Sequence, residues 1–256
     1  MTTSVVAIIV GSGQDAAAFV CTPGGSGASF TATSTNCVFI DAATITGDVT
    51  IPTGVTIGPT SITQFEILDS AIGGGFFNHG TVLGNLVGPS AGVQQDIGLL
   101  IDGDTTIGNG VTNAVGGVFS ITVKNTATSG AARADGIGIY ITSSSFTGNL
   151  VNDGLIDVRV VADPPGTAIA DATGMGVLST SFVGNVVNTT TLNAIATAIA
   201  GGGGGPSVAD AFATARAKGI VISAGTISGT TTHSAPSALS TSLSALFRGN
   251  ITNTGV

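Results

Sequence analysis

Two short stretches bring ionisable side chains close together: "LLIDGDTTIG", with Asp102 and Asp104, and "LVNDGLIDVRVVAD", with Asp153, Asp157, Arg159 and Asp163. Two carboxylates across a cleft can act as general acid and general base on a glycosidic bond. Asp157 and Arg159 are two apart, which puts them on one face of a strand. Against this, Asp-Gly at Asp102 and at Asp153 is turn chemistry, and an exposed Asp–Arg pair contributes little. No catalytic constellation can be assembled from these residues. The expectation is therefore a protein that is not an enzyme and has no catalytic residues.

Metal and cofactor motifs fare no better. "IDGDT" has acidic spacing, but the Gly-Gly-x-Gly-x-Asp nonapeptide of calcium-binding β-rolls is absent. His79 in "NHGT" and His233 in "TTHS" stand alone in turn-rich settings. The run Gly201 to Gly205 is not followed by Gly-Lys-Ser or Gly-Lys-Thr, and "GSGQDAAAF" from Gly11 lacks the dinucleotide fingerprint. No metal and no cofactor is expected. The two cysteines, Cys21 and Cys37, flank "TPGGSGASFTATSTN", a loop of turn formers. Two thiols are too few for a metal site, so a disulfide is the favoured reading. It would suit an exported protein and stabilise by roughly 3 kcal/mol through loop closure.

Composition narrows the class. Of 256 residues, 43% are hydrophobic and only 8% charged, and glycine alone supplies 40. Val, Ile and Thr fit a pleated surface, and Gly and Asn suit turns, so the chain reads as all-β. The net charge is −8, and the six cations, Lys124, Arg133, Arg159, Arg216, Lys218 and Arg248, are scattered along the sequence. Nucleic acid, which needs a basic track, is an unlikely partner. No apolar run approaches the roughly 20 residues of a membrane helix. Residues 1–19 carry "VVAIIV" followed by small residues, which fits either a signal remnant without its basic region or the first strand of the fold.

The strongest signal is repetition. "SFTGNLVNDG" from Ser145, "SFVGNVVNTT" from Ser181 and "LFRGNITNTG" from Leu246 share one pattern, with weaker copies at "TTIGNGVTNAVG" from Thr105 and "TVLGNLVG" from Thr81. Strand alternation puts Phe146, Gly148, Leu150 and Asn152 on one face, and the other copies follow suit. Stacked in register, they predict a column of Phe146, Phe182 and Phe247 and an inward amide ladder of Asn152, Asn188 and Asn253. Glycine would leave room beside the ring, and asparagine would also suit a left-handed corner.

Further runs keep step with these phrases: "LIDVRVVAD", and the set "RADGIGIYIT", "DATGMGVLST" and "RAKGIVISA". Three strand-like runs per unit predict an all-β, right-handed parallel β-helix with three strands per coil and corner insertions. Spacings between Gly-Asn pairs vary from 24 (Gly84 to Gly108) through 40 and 36 to 65 (Gly184 to Gly249), as corner insertions allow. An antiparallel sandwich would explain the alternation but not the recurring phrase. The segment Ala200 to Gly219 reads either as an inserted short helix, with Ser207 and Asp210 at its start and Gly219 as its stop, or in its last part as the approach to a strand. The division expected is an N-terminal segment with the Cys-bounded loop over 1–40 and solenoid coils over 41–256.

These phrases, with "ITGDVTI" and the Cys-bounded opening from Val20 to Ile40, resemble the coils of bacterial autotransporter passenger domains. The resemblance covers roughly Cys21 to Val256. It implies export, passage through an outer-membrane barrel that is not within this sequence, and display on the cell surface. The function expected is a secreted or surface structural solenoid: a stalk, an adhesin, or a self-assembling fibre or layer subunit. The alternative is a polysaccharide-binding or polysaccharide-cleaving β-helix. The final phrase "GNITNTGV" stops in mid-coil, so the expected partners are further coils or a second copy stacking end to end, with a glycan or host-surface protein as further candidates.

Overall fold

The computed structural model describes residues 21–59, 62–90, 92–200, 213–228, 231–233, 246–248 and 251–253, with side chains as far as Ser223. Every strand pairing among them is parallel, and strands adjacent in a sheet come from successive passes of the chain. The fold is a parallel β-helix. No helix is formed among the described residues: Ala213–Ser228 is one strand, so the part of the expected helix from Ala213 to Gly219 is extended, and 201–212 lie outside the described residues.

Four sheets result, of nine, five, three and eight strands among the described residues. A full coil runs from a long strand such as Val93–Asp102 to a two-residue strand Thr106–Ile107. It continues through a three-residue strand Val111–Asn113 and returns along Val118–Asn125. The coil therefore has four strand segments where three are expected. The extra break sits at stacked left-handed residues: Ala42 (φ 47°), Asp69 (φ 46°) and Gly103 (φ 67°). Glycine at position 103 takes the left-handed angle without strain and leaves room for the Asp69 carboxylate of the rung below, which a Cβ would strike. The coil that starts with Ala132–Ile141 keeps the break before Ser145–Thr147 without a left-handed residue, whereas Ala168–Val183 runs straight through, and its coil has the expected three.

Residues 21–37 form the first rung. Thr22–Gly24 pairs with Val38–Asp41, and Phe30–Thr31 pairs with Val49–Ile51. Cys21 and Cys37 are joined by a disulfide with Cα atoms 4.7 Å apart, and Cys37 is buried.

The interior is organised by columns. Phe146 stacks on Phe182 with ring centroids 5.8 Å apart and planes 5° from parallel. By backbone register, Phe182 pairs with Ile227 and Ile227 with Phe247, so the column passes through an isoleucine that the phrase alignment does not contain. The asparagine column is longer than expected. Asn78 donates to Asn113 (2.9 Å), Asn113 to Asn152 (2.7 Å) and Asn152 to Asn188 (2.6 Å), and all four are fully buried. Their spacings of 35, 39 and 36 residues measure the coil. Register continues the column through His233 to Asn253. The second amide hydrogen reaches past the corner of the next coil, from Asn78 to the Val118 carbonyl (3.4 Å) and from Asn113 to the Leu155 carbonyl (3.2 Å), so these two side chains also staple the turn that follows the asparagine one rung on. None of these asparagines is left-handed, contrary to the turn expectation.

Three phrase alignments are displaced, one of them "RADGIGIYIT" against "DATGMGVLST", where Ile139 and not Ile137 pairs with Met175. "TVLGNLVG" lies in a different sheet, pairing with Val118–Asn125, so Gly84 and Asn85 are not equivalent to Gly148 and Asn149. In "TTIGNGVTN" the register pairs Val111 with Leu150 and Asn113 with Asn152, which sets Asn109, not Gly108, against Gly148. Gly148 (φ 140°) and Gly184 (φ 155°) sit at the bend between two strands. What forbids a side chain there is the backbone of the neighbouring coil, with a Cβ on Gly148 meeting the Gly110 Cα at 2.6 Å, and not the phenylalanine ring.

Asn113→Ala should lose about 2 kcal/mol or more in urea denaturation, because it strands buried amide groups on both neighbours. Thr112→Ala, one residue away but pointing outward, should stay within about 0.5 kcal/mol.

Candidate functional site

The carboxylates with chemical promise in the sequence do not converge. Asp157 and Arg159 form a pair at 2.9 Å on the outer face of the five-stranded sheet, with Arg159 exposed. Asp153 accepts from Thr189 (2.6 Å) at the corner beyond the ladder. Asp163 follows the end of the strand Leu155–Ala162, about 20 Å from Asp157 at strand rise. Asp102 and Asp104 are corner residues: Thr142 donates to Asp102 and Ser144 to Asp104, each at 2.8 Å. His79 sits at a corner, its backbone N–H donating to the Ile51 carbonyl (2.8 Å). Among the described residues no three His, Cys, Asp or Glu side chains form a metal-ligand group.

A different cluster does assemble, on the outer face of the nine-stranded sheet. Pairing puts Gln95, Asp135, Asp171 and Arg216 in one column across four coils, and Ile97, Ile137, Thr173 and Lys218 in the next. Beyond these the strands change phase. Ala132, Ala134 and Gly136 face the interior, and then Ile139 and Ile141 do, with the shift at Ile137 and Gly138. Glycine recurs at that level, because a Cβ on Gly98 would lie 2.5 Å from the Gly138 carbonyl oxygen and one on Gly138 2.6 Å from that of Gly174. A depression spans the shift, with Asp135, Asp171, Arg216 and Lys218 on one side and Tyr140 and Leu178 on the other.

Its electrostatics are mixed. Arg133 donates from Nε to Asp135 (2.8 Å) and places Nη2 3.3 Å from Asp171, while Arg216 Nη1 lies 3.6 Å from Asp171. These last two are ion contacts without hydrogen-bond geometry: both Asp171 carboxylate oxygens are buried and accept no hydrogen bond among the described residues. Burial lifts the Asp135 carboxyl above its ordinary value despite the Arg133 hydrogen bond, with Asp171 adding to the effect. The same hydrogen bond holds Arg133 more firmly protonated. Farther along the face, burial raises Glu66, and the charges of Asp102 and Asp41 raise it further. Tyr140 is raised by burial and by Asp102. Its ring lies against Gly176 of the next rung, where a Cβ would sit 2.9 Å from the ring.

This cluster escapes motif reading because its members are distributed two or three to a coil over three coils. Aligned, the phrases "DATG" and "RAKG" match Asp171 with Arg216 as the register does, but "RADG" is displaced by two residues: the alignment sets Asp135 against Thr173, whereas the register pairs it with Asp171. No protein-family model matches the chain, and no curated protein or solved structure matches it significantly.

One further carboxylate lies inside the solenoid. Asp96 is 1% exposed, accepts from Gln64 Nε2 (2.9 Å), and packs where Gly84 leaves no Cβ. Its Oδ2 has no hydrogen-bond partner among the described residues. Burial pushes its pKa up to about 7, opposed by the Gln64 and Ile97 hydrogen bonds. The folded carboxyl thus binds its proton more tightly than the unfolded one. The stability this contributes is complete below pH 3.8 and is lost as pH rises through about 7. Asp96→Asn should therefore stabilise the protein at pH 8 by an amount on the order of 4 kcal/mol, with the gain shrinking toward pH 4. Urea midpoints of the two proteins from pH 4 to pH 8 check this.

Proposed function

We propose that the chain is a structural β-solenoid working outside the cell, as a stalk or adhesin. The observation that carries this reading is the unbroken interior register. Four buried asparagines in hydrogen-bonded succession, flanked by aromatic and aliphatic columns, tie four successive coils together. That arrangement supports a stiff rod whose outer faces and corners are available for display. The disulfide supports an oxidising compartment. Low charge with a Thr, Ser and Asn surface suits an exposed scaffold, and the resemblance to autotransporter passengers points the same way. On this reading end-to-end stacking with further coils or a second copy uses the same backbone pairing that joins the rungs.

A second reading, polysaccharide binding, is favoured by the mixed acidic and basic depression on the long sheet. It is compatible with the first, since an adhesin needs a recognition face.

Location and thiol chemistry test the proposal together. In cells expressing the natural protein, surface proteolysis or recovery from the medium should reach the chain. Cys21 and Cys37 should resist alkylation until a reductant is added. Recovery from the cytosol with both thiols readily alkylated would overturn the reading.

A further inference from the structure

We propose that the depression on the outer face of the nine-stranded sheet binds an acidic glycan, a linear sugar polymer bearing carboxylates. This rests on the reading that the solenoid displays its faces, and it assigns one of those faces a ligand.

Three of the six basic residues of a chain with net charge −8 gather here: Arg133, Arg216 and Lys218. Two are partly committed to Asp135 and Asp171, but Lys218 forms no ion pair within 4 Å among the described residues. The site thus presents cationic donors to an anion, which a neutral sugar would not need. Asp171 supplies the complementary demand. Its two oxygens form no hydrogen bond and are covered by ion contacts from Arg133 and Arg216; when those guanidiniums turn to a carboxylate of the ligand, the oxygens can accept from its donors. Sugar hydroxyls are such donors, and they come in adjacent pairs that match the two oxygens of one carboxylate. An acidic peptide offers the carboxylates but few hydroxyls. Across the phase shift, the Tyr140 ring lies over Gly176, with exposed Leu178 nearby, an apolar platform of the kind that a sugar ring's C–H face covers. The groups belong to successive rungs about 4.8 Å apart, so they follow the stack as a linear polymer would.

The test uses the full chain and three immobilised probes: polygalacturonate, dextran of similar length, and poly-glutamate. Binding to polygalacturonate should exceed binding to either of the others and weaken with added salt. Arg216→Gln combined with Lys218→Gln should weaken it at least tenfold. Tyr140→Ala should weaken it similarly without changing the salt dependence. Asp171→Asn keeps the side chain's shape but loses acceptor capacity, and should weaken binding with unchanged circular dichroism. Equal retention on dextran, or equal retention on poly-glutamate, would overturn the acidic-glycan assignment. Retention of polygalacturonate binding by the Arg216/Lys218 variant would overturn the site. Should that double variant fold poorly, each single substitution of these partly or largely exposed side chains carries the same comparison. None of these outcomes depends on where the cell places the protein.

Discussion

One rung of a solenoid cannot bury its own apolar face, so whatever occupies an inward position must fit the residues directly above and below it. The asparagine column is the most demanding case. A buried primary amide needs partners for its donors and its acceptor, and only another amide one rung away, with a backbone carbonyl beyond the corner, satisfies it at this depth. Asn113 meets this demand with Asn78, Asn152 and the Leu155 carbonyl. A slip of one residue would turn the column outward and leave these amides without partners. The ladder therefore sets the register, and the aliphatic and aromatic columns pack in the positions that register allows.

Fixed register has consequences on the outer surface. Where glycines stack at positions 98, 138 and 174, each carbonyl lies where the neighbour's Cβ would be. The strands change phase at this level, and the outer face holds a depression across it. Residues far apart in sequence become neighbours there because pairing is parallel. Asp135, Asp171 and Arg216 lie side by side although whole coils separate them along the chain. Like charges on adjacent rungs, Asp135 and Asp171, are compensated by Arg133 reaching across both. Surface and interior are thus set by one geometric device.

Asp96 is the interior position where this economy is broken. Most inward sites carry aliphatic or amide side chains, whereas this one carries a carboxyl held near neutrality by burial, with one hydrogen bond from Gln64 and a glycine, Gly84, making room. Its proton is favoured by the fold, because the charged form would lie in the core with one oxygen unsatisfied.

The repeated phrase was enough to establish a parallel stack and the inward faces of Phe146, Phe182, Asn152 and Asn188, since strand alternation and in-register repetition are properties of the sequence itself; the pairing of Cys21 with Cys37 was legible because they are the only two thiols and flank one loop. The phrase misaligned the weaker copies. "TVLGNLVG" resembles the motif but belongs to another sheet, and the true ladder members Asn78 and Asn113 sit in "FFN" and "VTN", which lack the phrase in its full form. The extra break in the early coils was hidden as well, because left-handed corners at Ala42 and Asp69 carry no glycine to announce them. The depression was legible only in part: "DATG" and "RAKG" align Asp171 with Arg216, but "RADG" aligns two residues away from its register, so the pairing of Asp135 with Asp171 was hidden. Local pattern determines which face a side chain takes, because alternation acts over two residues. Which coils become neighbours, and hence which charges meet, was decided by the tertiary stack, because loop insertions at the corners change the number of residues per turn without changing the distance between rungs.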